Sequence, residues 1–170
     1  MFGLQPDTPL VSPAAEGRLK ECRPDKMPTR ILILCTGNSA RSQMAEGLMK
    51  SFDANLDVHS AGTRPASRVH PGAVEAMREI GIDISQQTSK DVVSLLGQHV
   101  PYVVTVCDNA RERCPIFPGT WKFLHWSLED PAAVEGTPGE RLAVFQRVRE
   151  QIIANIGREF VQGDITRKRA

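Results

Sequence analysis

A chain of 170 residues is long enough for one domain with a proper core, and its 41 % apolar content is ordinary for a globular protein. The formal net charge of +1 lacks the concentrated basic excess that nucleic-acid binding calls for. No run approaches the roughly 18 apolar residues of a membrane span, and no basic start with an apolar block marks a secretory signal. A cytoplasmic protein without nucleic-acid or membrane partners is therefore expected.

Residues 1–29 hold Pro6, Pro9, Pro13, Pro24 and Pro28 among scattered charges, and their composition predicts a disordered tail. Met27, directly before the first strand, is an alternative start. Four cysteines could form two disulfides, but Cys22 falls in this tail. In a chain of this size cysteines point to chemistry or core filling instead. Next, Ile31-Leu32-Ile33-Leu34 runs into Cys35, followed by the small, turn-prone Thr36-Gly37-Asn38-Ser39-Ala40, then Arg41 and Ser42. Residues 43–53 carry Met44, Leu48 and Phe52 on one helical stripe, with Glu46 placed to favour the helix dipole. Strand, tight loop and helix N-terminus in this order aim backbone N–H groups at an anion. Cys35 lies at the base of that cradle, and Arg41 offers a planar fork to a tetrahedral oxyanion. The local chemistry is a thiolate nucleophile attacking an oxyanion. Loop amides, Arg41 and the Ser42 hydroxyl are expected to favour the thiolate, since such surroundings bring a thiol from about 8.5 to about 3.5–7.5. Asn38 is expected to fix the loop by side-chain-to-backbone bonds.

A second strand spans Leu56 to Thr63, and Pro71 opens a helix in which Val74, Met77 and Ile80 share a face before Gly81. A short amphipathic stretch covers Val92 to Leu96. Tyr102 to Cys107 reads as the third strand, Asp108 to Arg113 as a short helix or loop, and Trp121 to Trp126 as the fourth strand. Both tryptophans read as core. A loop with Glu129-Asp130-Pro131 precedes a helix announced by Thr137-Pro138-Gly139-Glu140, whose stripe is Leu142, Phe145, Val148, Ile152 and Ile156. Residues 164–170 read as a solvated basic tail. His59, His70, His99 and His125 are not spaced as metal ligands, so no metal and no cofactor are expected.

This alternation predicts an α/β fold: a single domain over residues 30–163, with a four-stranded parallel sheet and helices on both faces. Ligands in such folds bind beyond the carboxyl ends of the strands, where Cys35, Cys107 and Asp130 converge. Six residues separate Cys107 from Cys114, which suits neither a zinc knuckle nor a Cys-x-x-Cys pair. A disulfide between them, with Cα atoms under about 7 Å apart, requires the intervening segment to loop out or unwind.

Cys35-x5-Arg41-Ser42 resembles the signature loop of low-molecular-weight protein tyrosine phosphatases. The string from Cys35 to Gly47 is similar to the branch of that fold formed by thioredoxin-coupled arsenate reductases. The likeness continues through Ser60-Ala61-Gly62, Gly81 to Ser85, Val103 to Cys107, Cys114-Pro115, His125-Trp126, Asp130-Pro131 and Phe145 to Arg149. It implies that Asp130 is the general acid above the loop. It further implies a relay in which Cys35 attacks arsenate, Cys107 attacks Cys35 to expel arsenite, and Cys114 takes over the disulfide for thioredoxin to reduce. Two positions depart from the pattern. Ala40 stands where a further loop cysteine is common. Some members bind potassium through residues matching Asn38, Glu46, Ser60 and an aspartate, and the aspartate position is Lys90, so no bound potassium is expected.

Two other functions share parts of this pattern. A tyrosine phosphatase of the family follows Asp-Pro with two tyrosines that flank an aryl phosphate; here Ala132 and Ala133 follow, and the only tyrosine is Tyr102. Weak activity on small phosphomonoesters is compatible with that. A non-enzymatic phosphocysteine carrier would need the thiol and loop but not Arg41, Asp130 or the pair Cys107 and Cys114.

Overall fold

A computed structural model describes residues 29–161. The tails expected over residues 1–29 and 164–170 lie outside the described residues, save Thr29. The fold begins with β1 (Arg30–Cys35), an apolar run buried along nearly its whole length, as a central strand covered on both faces must be. It feeds α1 (Arg41–Phe52), β2 (Asp57–Gly62), α2 (Pro71–Arg78) and a 3₁₀ turn over Val92–Leu95. β3 (Tyr102–Thr105), α3 (Asp108–Glu112), β4 (Lys122–His125) and α4 (Pro138–Ile156) follow, and a π-helical turn over Gly157–Val161 ends the described chain.

All strand pairs are parallel, in the order β2-β1-β3-β4. The predicted single α/β domain with a four-stranded parallel sheet is thus what the chain forms. The path leaves β1 on one side to form β2, then returns to β1's other side for β3. The strand order therefore reverses between β1 and β3, where doubly wound sheets open a crevice at their carboxyl edge. Cys35 ends one of these strands, and Cys107 lies two residues beyond the other. Helices α1, α2 and α4 pack against one another, while α3 packs against β1 and β3. At the start of α4, Thr137 Oγ1 accepts from the Glu140 N–H and Glu140 Oε2 accepts from the Thr137 N–H, completing the predicted capping box.

Several boundaries and burial expectations need correction. α1 starts at Arg41 rather than residue 43, so Arg41 and Ser42 belong to the helix's first turn. Three residues expected in the core are open to solvent: Phe52 is 48 % exposed, Ile80 40 % and Trp121 66 %. Phe52 is the last residue of α1, and Ile80 lies beyond the end of α2. Trp121 precedes the edge strand β4 and packs one edge on Tyr102, with ring centroids 4.7 Å apart. Trp126 is buried as expected. Among the described residues, no helix is long and apolar enough to cross a membrane, and no group of three His, Cys, Asp or Glu could hold a metal ion.

Candidate active site

The loop between β1 and α1 is held from outside by its carbonyl groups. The N–H groups of Thr63, Arg64, Ala66 and His70 donate to the carbonyls of Cys35, Thr36, Gly37 and Ser39 at 2.8–3.2 Å. The Asn38 carbonyl accepts from Gln43 Nε2 and Ser89 Oγ. A trans peptide points its N–H opposite its C=O, so five fixed carbonyls turn the N–H groups of residues 36–40 inward. The Asn38 N–H indeed donates to Cys35 Sγ at 2.9 Å. Asn38 adopts φ 45°, a left-handed conformation that asparagine tolerates better than most residues. Gly62 permits the close approach of β2's end: a Cβ there would lie 2.6 Å from the Thr36 carbonyl oxygen.

The Asn38 side chain organises what lies beneath the sulfur. Its Nδ2 donates to Ser42 Oγ at 2.9 Å and to Ser60 Oγ at 2.8 Å. Ser42 Oγ lies 2.8 Å from Cys35 Sγ, and its proton is the donor once Cys35 is a thiolate. Ser60 Oγ donates to Glu46 Oε2. Asn38 Oδ1 accepts from Gln43 Nε2 and from the Lys90 N–H. The expected side-chain-to-backbone bond is present once, at Lys90; the rest of the network joins side chains. Glu46 is buried, with Lys50 Nζ on one oxygen and Lys90 Nζ 3.4 Å from the other. Burial pushes its carboxyl up, but bonds from Lys50 and Ser60 and the Lys90 charge hold it below the usual range.

Cys35 corrects one expectation. Burial, the largest influence, pushes its thiol up, and the Ser42 and Asn38 hydrogen bonds with the Arg41 charge only partly offset it. These donors stabilise a charge that burial opposes. Arg41 is buried and aimed, its Nη1 donating to the Leu128 carbonyl at 3.0 Å and its Nη2 lying 3.2 Å from Asp130 Oδ2. Asp130 is half exposed, and its Oδ1 accepts from the Ala132 N–H.

Cys35, Arg41, Asp130 and Cys107 line one cavity of about 460 Å³ with Thr36, Gly37, Ser39 and Ala40 of the loop. Cys107 Sγ sits 3.4 Å from Thr36 Oγ1. A larger cavity of about 740 Å³ adjoins it and shares Ser39 and Ala132, but contains no cysteine, so the chemistry belongs to the smaller one. Cys114 stands apart, half-buried, its Sγ directed to the Pro115 carbonyl at 3.4 Å. Burial pushes its thiol up to about 11. All three described cysteines are free thiols. Sequence reasoning missed the Leu128 carbonyl that aims Arg41 and the Thr36–Cys107 contact, neither of which leaves a local sequence signal.

The model of the low molecular weight phosphotyrosine protein phosphatase family matches residues 30–162. An arsenate reductase from Halalkalibacterium halodurans is 51 % identical over 123 residues, covering 72 % of this chain and 88 % of the relative. A solved arsenate reductase in the oxidised state superposes with TM-score 0.68 at 33 % identity, covering 79 % of this chain and 98 % of its own. A solved thioredoxin-dependent arsenate reductase from Corynebacterium glutamicum superposes with TM-score 0.52 at 30 % identity, covering 77 % and 65 %. Matched across nearly all of its described residues, the chain belongs to the low molecular weight phosphotyrosine protein phosphatase family.

Proposed function

We propose that this protein reduces arsenate to arsenite through a thiol relay that thioredoxin resets. Cys35 attacks arsenic, and Asp130 protonates the departing oxygen, which leaves as water. Inward N–H groups and Arg41 hold the charge of the Cys35–arsenate adduct. Cys107 then attacks Cys35 Sγ. A sulfur–sulfur bond forms, the sulfur–arsenic bond breaks, and its electron pair stays on arsenic, which leaves as arsenite. Cys114 attacks Cys107 and releases Cys35 as thiolate. The Cys107–Cys114 disulfide takes two electrons and two protons from the thioredoxin dithiol.

The observation that carries this reading is a second thiol, Cys107, on the wall of the cavity that holds the nucleophile. A hydrolytic phosphatase has no use for it. The names of the relatives support arsenate as substrate, and the Corynebacterium neighbour supports thioredoxin as reductant. Free thiols suit a reducing, cytoplasmic setting. The cavity wall after Asp130 carries Ala132 and no aromatic ring, so only slow hydrolysis of small phosphomonoesters is expected. The Lys90 ammonium beside Glu46 supplies the fixed cation beneath the loop, in place of a bound potassium ion.

The test follows NADPH loss with arsenate, thioredoxin and thioredoxin reductase. Wild type is expected to turn over only when arsenate is present, and Cys107→Ala to lose that turnover. A wild type inert towards arsenate overturns the function, and a Cys107→Ala variant as fast as wild type overturns the relay.

A further inference from the structure

We infer that Asp108 and His125 form a latch that keeps the segment between Cys107 and Cys114 helical while both thiols are reduced. Asp108 is thereby a positioning residue that helps set the reduction potential of the pair. The inference rests on the relay proposed above.

α3, at five residues, is too short to hold itself together, and Cys107 at its N-cap makes no side-chain capping bond. An outside tie is present instead. Asp108, the first residue of α3, places Oδ1 2.9 Å from His125 Nε2 at the end of β4. The other ring nitrogen, Nδ1, lies 2.8 Å from Thr105 Oγ1 of β3. Both ring nitrogens of His125 are therefore engaged, Nδ1 on the sheet and Nε2 on α3, while the Thr105 hydroxyl also lies 3.4 Å from the Leu124 carbonyl, which can take its proton. The His125 side chain is 16 % exposed and that of Asp108 75 %, so the sheet supplies the rigid half of the tie and α3 the movable half.

Disulfide formation must break this arrangement. The five residues of α3 at helical rise span about 7.5 Å, with Cys107 before the helix and Cys114 two residues after it. A disulfide needs Cα atoms within about 7 Å. Closing that gap unwinds α3 and carries Asp108, adjacent to Cys107, away from His125. Unwinding also frees Cys114 from the burial that suppresses its ionisation. The latch therefore stabilises the dithiol over the disulfide.

The test uses the full chain carrying Cys22→Ser and Cys35→Ser, so that Cys107 pairs only with Cys114. It is equilibrated in dithiothreitol buffers of graded potential. Two electrons and two protons pass from the thiols to oxidised dithiothreitol as the disulfide closes, and alkylation with mass analysis counts the thiols left. Asp108→Ala is expected to favour the disulfide about threefold to fivefold, lowering the potential by about 14–21 mV for this two-electron couple. Asp108 in the first turn of α3 also favours the helix dipole, so His125→Ala, which leaves that charge in place, isolates the tie. His125→Ala should give a similar shift, and the double variant no more than either single one. Hydrogen exchange gives a second readout in the reduced protein. The Arg111 N–H, bonded to the Cys107 carbonyl at 3.1 Å, should exchange faster in Asp108→Ala while β1 amides keep their protection. An unmoved potential, additive shifts or unchanged Arg111 exchange overturns the latch alone. Failure of the parent to form a Cys107–Cys114 disulfide at any potential overturns the relay and the latch with it.

Discussion

Cys35 is pulled two ways. Burial raises its pKa, whereas Ser42, the Asn38 N–H and Arg41 lower it. Ser42 is the most readable of these, because its hydroxyl lies 2.8 Å from the sulfur and can only donate to it once the thiolate forms. A hydrogen bond to a charged group contributes about 1.5–3 kcal/mol, and one pKa unit is about 1.36 kcal/mol. Ser42→Ala is therefore expected to move the midpoint of Cys35 alkylation by iodoacetamide upward by roughly one to two pH units. An unmoved midpoint would show that the hydroxyl does not stabilise the thiolate. The same substitution should slow arsenate turnover most at neutral pH and least in alkali, where ionisation no longer limits the attack.

At the scale of elements, the loop works because the segment after β2 lies against its outer edge. That contact depends on Gly62, where an added Cβ would meet the Thr36 carbonyl oxygen at 2.6 Å and the Asn38 Cβ at 3.0 Å. Gly62→Ala must push Thr36 inward or part the loop from β2. Overpacking of this kind costs about 1–3 kcal/mol, and a misaimed loop loses oxyanion affinity as well. Competitive inhibition by phosphate should weaken about tenfold. Phosphate binding equal to wild type would mean that the loop does not need this contact. The same contact shows why sequence reading succeeded only partly. The apolar run into Cys35, the small loop residues and the capping box at Thr137 are local patterns, and each appears in its expected place. The carbonyl ladder, the Leu128 contact to Arg41 and the Asp108–His125 tie join residues 17 to 87 positions apart, so no window of sequence contains them. Trp121 misled for the complementary reason: its apolar character says nothing of its place before an edge strand.

Across the whole molecule, one network ties β2, α1 and the segment around Lys90 to the loop. It runs from Lys90 and Lys50 to Glu46, then through Ser60 to Asn38, and from Asn38 through Ser42 to Cys35. Glu46 is the buried charge on which it depends. Its carboxyl is held below the usual range despite burial, so it contributes stability that is present above the unfolded value of about 4.3 and is lost as pH falls through the folded value. Lys90→Met removes one of the charges that lower it. The Glu46 pKa then rises, and the acid unfolding midpoint should move to higher pH. Stability at pH 7 should fall by only about 1–2 kcal/mol, because Lys50 still pairs with the other oxygen. Circular dichroism against pH and a thermal melt measure both, and an acid limb that does not move would detach Lys90 from the network. A tethered ammonium also leaves no demand for a free cation beneath the loop. Exchanging sodium for potassium at constant ionic strength should therefore leave wild-type melting and turnover unchanged. A rise in either with potassium would mean that an ion, rather than Lys90, balances Glu46.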